Sequence, residues 1–216
     1  MEKYDLVDNF MLSIVGPRNR GKSFLVKQMI TYFLKNNKFK EKHIIIINPS
    51  IEINDDYMFL TQAIKISETK KQYILDILNE QIDNIKMYGK KKTPKILLIL
   101  DDCANSHLFR NGGIIETISM RGRHANISCI ITSQTLHSIT KKVRLNSDYI
   151  ILFSPYVVRE LEGFIEEFCV KDDRKKIIKR FLDIFDTKYN YVVINNNEHC
   201  YKKKITLKFK EIIKID

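Results

Sequence analysis

The chain has 216 residues, a length that suits one domain and is ample for a buried core. Hydrophobic residues make up 44% and charged residues 29%, ordinary globular proportions that fit neither a disordered chain nor a membrane-embedded one. Lysine and arginine outnumber the acids 37 to 26, and the resulting charge of +11 suits a polyanionic partner such as nucleic acid.

The opening residues Met1-Glu2-Lys3-Tyr4-Asp5 are charged and lead into no long apolar stretch, so neither a signal peptide nor a membrane span is expected and the protein should be soluble and intracellular. Phe10 to Val15 is a short apolar run ending at Gly16, which predicts a strand buried on both faces. From Ser23 to Phe33 the spacing turns helical, with Phe24, Leu25, Met29 and Phe33 apolar. Ile44 to Ile47 predicts a second strand, stopped at Asn48-Pro49. Residues 69–88 place Ile74, Leu75, Leu78, Ile82 and Ile85 on one helix face, and Lys90-Lys91-Lys92 follows as a solvated linker.

Ile96 to Leu100 is a third strand, followed by a loop and a helix near Ile114 to Met120. Ile127 to Ile131 and Tyr149 to Phe153 are the fourth and fifth strands, each continuously apolar as in a parallel sheet. Strands alternating with helices predict an α/β fold with right-handed crossovers. After Pro155 the pattern becomes two helices, at 156–169 and 173–186, then strands at 190–195 and 201–207 around Asn195-Asn196-Asn197. The expected organisation is a core over 1–155 and a helical and hairpin appendage over 156–216 packed on it. Cys103, Cys129, Cys169 and Cys200 are widely spaced without a C-x-x-C pair, which predicts reduced, buried or half-buried thiols rather than zinc or disulfides.

The first strand runs into Gly16-Pro17-Arg18-Asn19-Arg20-Gly21-Lys22-Ser23, a complete G-x-x-x-x-G-K-[ST] phosphate loop between a strand and a helix. Two of only seven glycines fall on its fixed places. Gly16 and Gly21 let the backbone N–H groups turn inward on a phosphate at the positive end of the following helix. Lys22 is then the ligand of the β and γ phosphates, and the Ser23 hydroxyl that of Mg²⁺. The third strand ends on Asp101-Asp102, the place for a carboxylate that holds Mg²⁺ through water (Asp101) and one that polarises the attacking water (Asp102). An aspartate at the second place is one methylene shorter than the glutamate of many ATPases. The fourth strand runs through Thr132-Ser133 to Gln134, which can sense the γ-phosphate if that strand lies beside the acidic one.

This ordered set, with Arg121-Gly122-Arg123-His124-Ala125-Asn126-Ile127-Ser128 before Ser133-Gln134 and Val143-Arg144-Leu145-Asn146-Ser147 before the fifth strand, resembles the FtsK/HerA superfamily of DNA-pumping P-loop ATPases. Within it the resemblance is to the poxvirus-type genome-packaging ATPases of large DNA viruses and their satellites, over residues 10–155. It implies a three-layer P-loop NTPase sandwich with the Gln134 strand between the phosphate-loop strand and the acidic strand. It further implies ATP and Mg²⁺ as cofactors, and a homo-oligomeric ring around double-stranded DNA that packs a preformed capsid, with a capsid or portal protein as a partner. An arginine from a neighbouring subunit would complete each site, and Arg123 and Arg144 are the candidates. Small residues are usual inside this family's loop, whereas Arg18 and Arg20 are bulky cations. Arg18 sits where some phage packaging motors carry a loop arginine that acts within its own subunit.

His124, without a second ligand at metal spacing, belongs to an interface or the core rather than a metal site. The clusters Lys90 to Lys92, Lys141-Lys142, Arg174 to Lys176 and Lys202 to Lys204 are either a DNA-channel lining or solvated faces. A cellular-type DNA pump or helicase loader, and a nucleotide-gated switch without turnover, stay open beside the packaging motor. The absence of an N-K-x-D motif argues against a small GTPase, and no acid cluster after Pro155 suits a packaging nuclease. A duplex channel predicts sequence-blind binding that weakens steeply with salt.

Overall fold

The continuous apolar runs become the inner strands of a single sheet. The computed structural model describes residues 4–53, 55–103, 106–169, 174–199 and 204–213. In chain order the elements are β1 (Met11–Val15), α1 (Lys22–Lys35), β2 (Ile44–Ile47), β3 (Ile64–Ile66), α2 (Lys71–Tyr88), β4 (Ile96–Leu100), α3 (Ile114–Arg121), β5 (Ile127–Ser133), α4 (Lys141–Leu145) and β6 (Tyr149–Phe153). Then come α5 (Val158–Phe168), α6 (Arg174–Phe185), β7 (Tyr191–Asn195), β8 (Ile205–Leu207) and β9 (Glu211–Ile212).

The strand order is β3-β2-β4-β5-β1-β6-β7-β8-β9. Pairing is parallel from β3 to β6 and antiparallel from β6 to β9. The Gln134 strand, β5, therefore lies between β1 and β4, as the resemblance implied. Successive side chains of a strand point to opposite faces, so each buried strand feeds two cores. Leu12, Ile14, Ile44 and Ile46 face α1, whereas Met11, Val15, Ile45 and Ile47 face the layer of α2, α3, α5 and α6. That division gives the three layers, and it leaves α1 as the one long helix on its side of the sheet among the described residues.

The short elements are the ones the sequence did not announce. β3 and β9 have three and two residues, too few to show a period, and α4 is five residues long with Thr140 as its N-cap. The expected strand at 201–207 is observed as β8 from Ile205, and residues 201–203 lie outside the described residues. β7 pairs with β6 along its whole length, from Tyr149 opposite Asn195 to Phe153 opposite Tyr191, so the C-terminal strands continue the central sheet. Cys103 and Cys129 are buried and Cys169 half-buried, all three as free thiols, and Cys200 lies outside the described residues.

Candidate nucleotide site

Because β1, β2, β4 and β5 are parallel, their carboxyl ends open on one edge of the sheet, where ligands of open α/β folds bind. The loop after β1 is tied to the sheet by the Gly16 N–H, which donates to the Ser133 carbonyl at 3.0 Å. Gly16 is required by packing: a Cβ there would lie 2.7 Å from the Cβ of Phe153 on β6. Gly21 is required by conformation, with φ at 101°, and Asn19 also takes the left-handed region at 59°. Gly21 caps α1 with no side-chain hydrogen bond, so the first N–H groups of the helix stay directed outward for an anion. Lys22 Nζ donates to the carbonyls of Gly16 and Pro17 at 2.6 and 2.9 Å. Burial holds its ammonium below the usual lysine range, Asp102 and Asp101 pull the other way, and Arg18 adds to the lowering.

Asp101 and Asp102 are adjacent yet differently placed. Asp101 is 4% exposed, and its N–H still donates to Ile47 of β2. Its Oδ1 accepts from Thr132 Oγ1 at 2.6 Å, and its Oδ2 accepts from Asn48 Nδ2 at 3.0 Å and from the Tyr57 hydroxyl at 2.9 Å. Burial, followed by the charge of Asp101, pushes the Tyr57 phenol well up, so it stays a donor. Asp102 takes a left-handed φ of 54°, and its N–H donates back to Thr132 Oγ1 at 3.0 Å. Its carboxylate emerges into solvent and accepts from Gln134 Nε2 at 3.0 Å. A cleft of about 240 Å³ collects Lys22, Ser23, Arg18, Asp101, Asp102 and Gln134 around these bonds. The same cleft includes Asn48 and Thr132, and neither had been expected as a site residue. Asn48 could have been found, since it is the first polar residue after a strand neighbouring β4. Tyr57, on a three-residue 3-10 turn between β2 and β3, gives no such signal.

Two expectations are corrected by the geometry. Arg20 turns from the phosphate cleft and places its guanidinium 5.7 Å from the ring centroid of Tyr156. Arg144 is not free to project into another subunit: Nε and Nη2 grip Glu167 at 2.7–3.1 Å while Nη1 donates to the carbonyls of Leu136 and Ile139. Of the two placements expected for His124, an interface or the core, exposure on a 3-10 turn excludes the core. Arg123 lies on that same turn before β5, its side chain half exposed and 3.6 Å from Asp148 Oδ1. The seven residues of β5 separate it from Gln134, about 20 Å of strand. Among the described residues no group of three or more His, Cys, Asp or Glu forms a metal cluster, and no helix is long and apolar enough to cross a membrane.

The chain is similar to several viral proteins. The DNA-packaging ATPase B204 from Sulfolobus Turreted Icosahedral Virus superposes with a TM-score of 0.67 at 18% identity, covering 98% of this chain and 100% of that one. The genome packaging NTPase B204 from Sulfolobus turreted icosahedral virus 2, in complex with ATP-gammaS, gives 0.67 at 18% identity over 96% and 100%. At those identities the likeness establishes a shared fold. Uncharacterized protein L437 of Acanthamoeba polyphaga mimivirus is 28% identical over 156 residues, 64% of this chain and 50% of its own. The chain spans about half the length of the curated relatives it matches. The model of the family described as Poxvirus A32 protein matches residues 2–211, nearly the whole chain, and the chain belongs to that family.

Proposed function

We propose that the chain is a viral genome-packaging ATPase, which hydrolyses ATP with Mg²⁺ and couples the cleavage to movement of double-stranded DNA into a preformed capsid. The observation that carries this is the cleft in which a phosphate loop, a buried aspartate, a solvent-facing aspartate and its glutamine partner converge from three parallel strands. Membership of the Poxvirus A32 protein family and the fold shared with packaging NTPases support the reading.

In this assignment Lys22 and the N–H groups at the start of α1 neutralise the phosphates, and Arg18 adds charge within its own subunit. The oxygen donors of the cleft, the Ser23 hydroxyl and the two carboxylates, suit Mg²⁺, which keeps several waters and takes one or two carboxylates. Asp101, held in place by hydrogen bonds to both its oxygens, would hold the ion through water. The ion would supply charge neutralisation of the γ-phosphoryl oxygens. Asp102 orients the attacking water and takes its proton, while Gln134, bonded to it, touches both water and γ-phosphate. Arg123 is too far along β5 to serve its own site and is assigned to a neighbour's, in a homo-oligomeric ring around duplex DNA. A capsid or portal-vertex protein is the proposed docking partner.

The test is ATP hydrolysis with and without duplex DNA. DNA should raise the rate, chelation of Mg²⁺ should abolish it, and Lys22→Ala and Asp102→Asn should each lose about 10²-fold or more. A Lys22→Ala chain that hydrolyses like the wild type overturns the site, and nucleotide binding with negligible turnover favours a gated switch. Copurification with a capsid or portal protein separates packaging from other DNA pumping.

A further inference from the structure

A phosphate loop binds in one shape, and glycine, which permits that shape, permits others as well. Ordering such a loop at the moment of binding lowers affinity, whereas a loop already held in shape avoids the loss. Two ties come from the backbone: the Gly16 N–H is fixed to β5, and the Gly21 carbonyl accepts from the Leu25 N–H at 2.9 Å. Three more contacts come from aromatic side chains at or beyond the end of β6.

Phe153, the last residue of β6 and 2% exposed, meets both fixed glycines. Its Cβ lies 2.7 Å from where a Cβ on Gly16 would be, and its ring 3.5 Å from where one on Gly21 would be. Behind it stands Tyr191 of β7, with 5.1 Å between ring centroids. Tyr189, in the turn before β7, places its ring 3.3 Å from that same position on Gly21. The turn is anchored to α6, where the Ile184 carbonyl accepts from Asn190 Nδ2 at 2.9 Å. With Gly21 against it and the Lys188 ammonium 4.8 Å from its centroid, the Tyr189 ring is committed to the loop. Tyr156, in the turn after β6, supplies the ring that pairs with Arg20.

Tyr156 and Tyr189 are placed at odds with folding alone. Tyr189 is 52% exposed and holds a left-handed φ of 64°, uncommon for a bulky residue and of the kind that gathers at ligand clamps. Tyr156 is 69% exposed, so its ring gains little from burial. What the two share is the phosphate loop, which they touch at the consecutive residues Arg20 and Gly21. Phe153, Tyr156 and Tyr189 all stand outside the wall of the cleft that collects Lys22, Asp101 and Asp102, so any effect on a ligand there passes through the loop.

We propose that these three residues form an aromatic bracket that fixes Gly16, Arg20 and Gly21 in the shape that receives the phosphates, with Tyr156 and Tyr189 as positioning residues for the proposed hydrolysis. The inference rests on the phosphate-loop assignment above, and it gives the chain after β6 a part in the site. The pairing with Tyr156 also accounts for Arg20 standing away from the cleft while Arg18 lines it.

The experiment measures binding of ATP and of inorganic tripolyphosphate, together with amide hydrogen exchange, in the wild type, Tyr156→Ala, Tyr189→Gly, Tyr156→Phe, Tyr189→Phe and, as a control, Lys22→Ala. Glycine is chosen at 189 because it accepts the positive φ. Tyr156→Ala and Tyr189→Gly should each weaken ATP and tripolyphosphate by the same factor, about threefold to tenfold. Exchange at the amides of residues 18–22 should quicken in both, with β1 and β4 unchanged. The phenylalanine variants keep the rings and should match the wild type. Wild-type binding of tripolyphosphate in both ring-deleting variants, weakening of ATP alone, phenylalanine variants as weak as the ring-deleting ones, or faster exchange throughout the sheet each overturns the bracket and leaves the phosphate loop standing. A wild type that binds neither ligand, or a Lys22→Ala chain that binds both at full strength, removes the phosphate-loop assignment as well.

Discussion

Asp101 and Asp102 show how one backbone torsion divides the work of two identical side chains. Asp101 continues the β4 ladder and is buried among donors, whereas the left-handed turn at Asp102 directs its carboxylate outward to Gln134. Thr132 serves both, donating to the first carboxylate and accepting from the second residue's N–H. Thr132→Val should therefore lower turnover at least tenfold with little change in KM, and destabilise the protein by about 1–3 kcal/mol in urea unfolding. Tyr57→Phe should show a similar stability loss, and Thr132→Ser should recover most of the turnover; a Thr132→Val chain with normal turnover would remove Thr132 as a positioning residue. The acidic pair was legible in the sequence because it follows a continuous apolar strand. Tyr57 was not, since it reaches Asp101 across 44 residues from a segment with neither period nor motif.

At the scale of elements, Arg144 shows what a linear pattern conceals. It precedes β6, where the resemblance offered a finger, yet α5 carries Glu167 to meet it. The pair fastens the segment after β5 to the helical layer, with only 8% and 14% of the two side chains exposed. Removing one partner of a buried pair leaves the other charge uncompensated, at about 3–5 kcal/mol. Arg144→Met and Glu167→Gln should each unfold at clearly lower denaturant, and Arg144→Met with Glu167→Leu should recover part of the loss. A finger would behave otherwise, with Arg144→Met losing turnover at unchanged stability and Glu167→Gln silent. β1, β2, β4, β5 and β6 were legible because burial on both faces demands unbroken apolar runs. β3, α4 and β9 were not, because their pairing and capping partners are set by tertiary contact rather than by local composition.

At the scale of the whole molecule, parallel strands hold the proposed nucleotide residues and the proposed finger at opposite edges. The nucleotide edge carries Lys22, Asp102 and Gln134, and the opposite edge carries Arg123, about 20 Å away along β5. If sites are completed between subunits, chains with Lys22→Ala and chains with Arg123→Ala should each be inactive alone and regain ATP hydrolysis when mixed, since some interfaces then combine an intact loop with an intact arginine. No recovery on mixing would place Arg123 outside the neighbour's site. The two lateral margins of the sheet are a different matter. They end in three residues and in two, with Lys65 and Glu211 among them. So few unpaired backbone groups, with charge beside them, offer a poor template for a strand from another copy. Crowded side by side at high concentration, copies of this chain should resist zipping together into aggregated sheets.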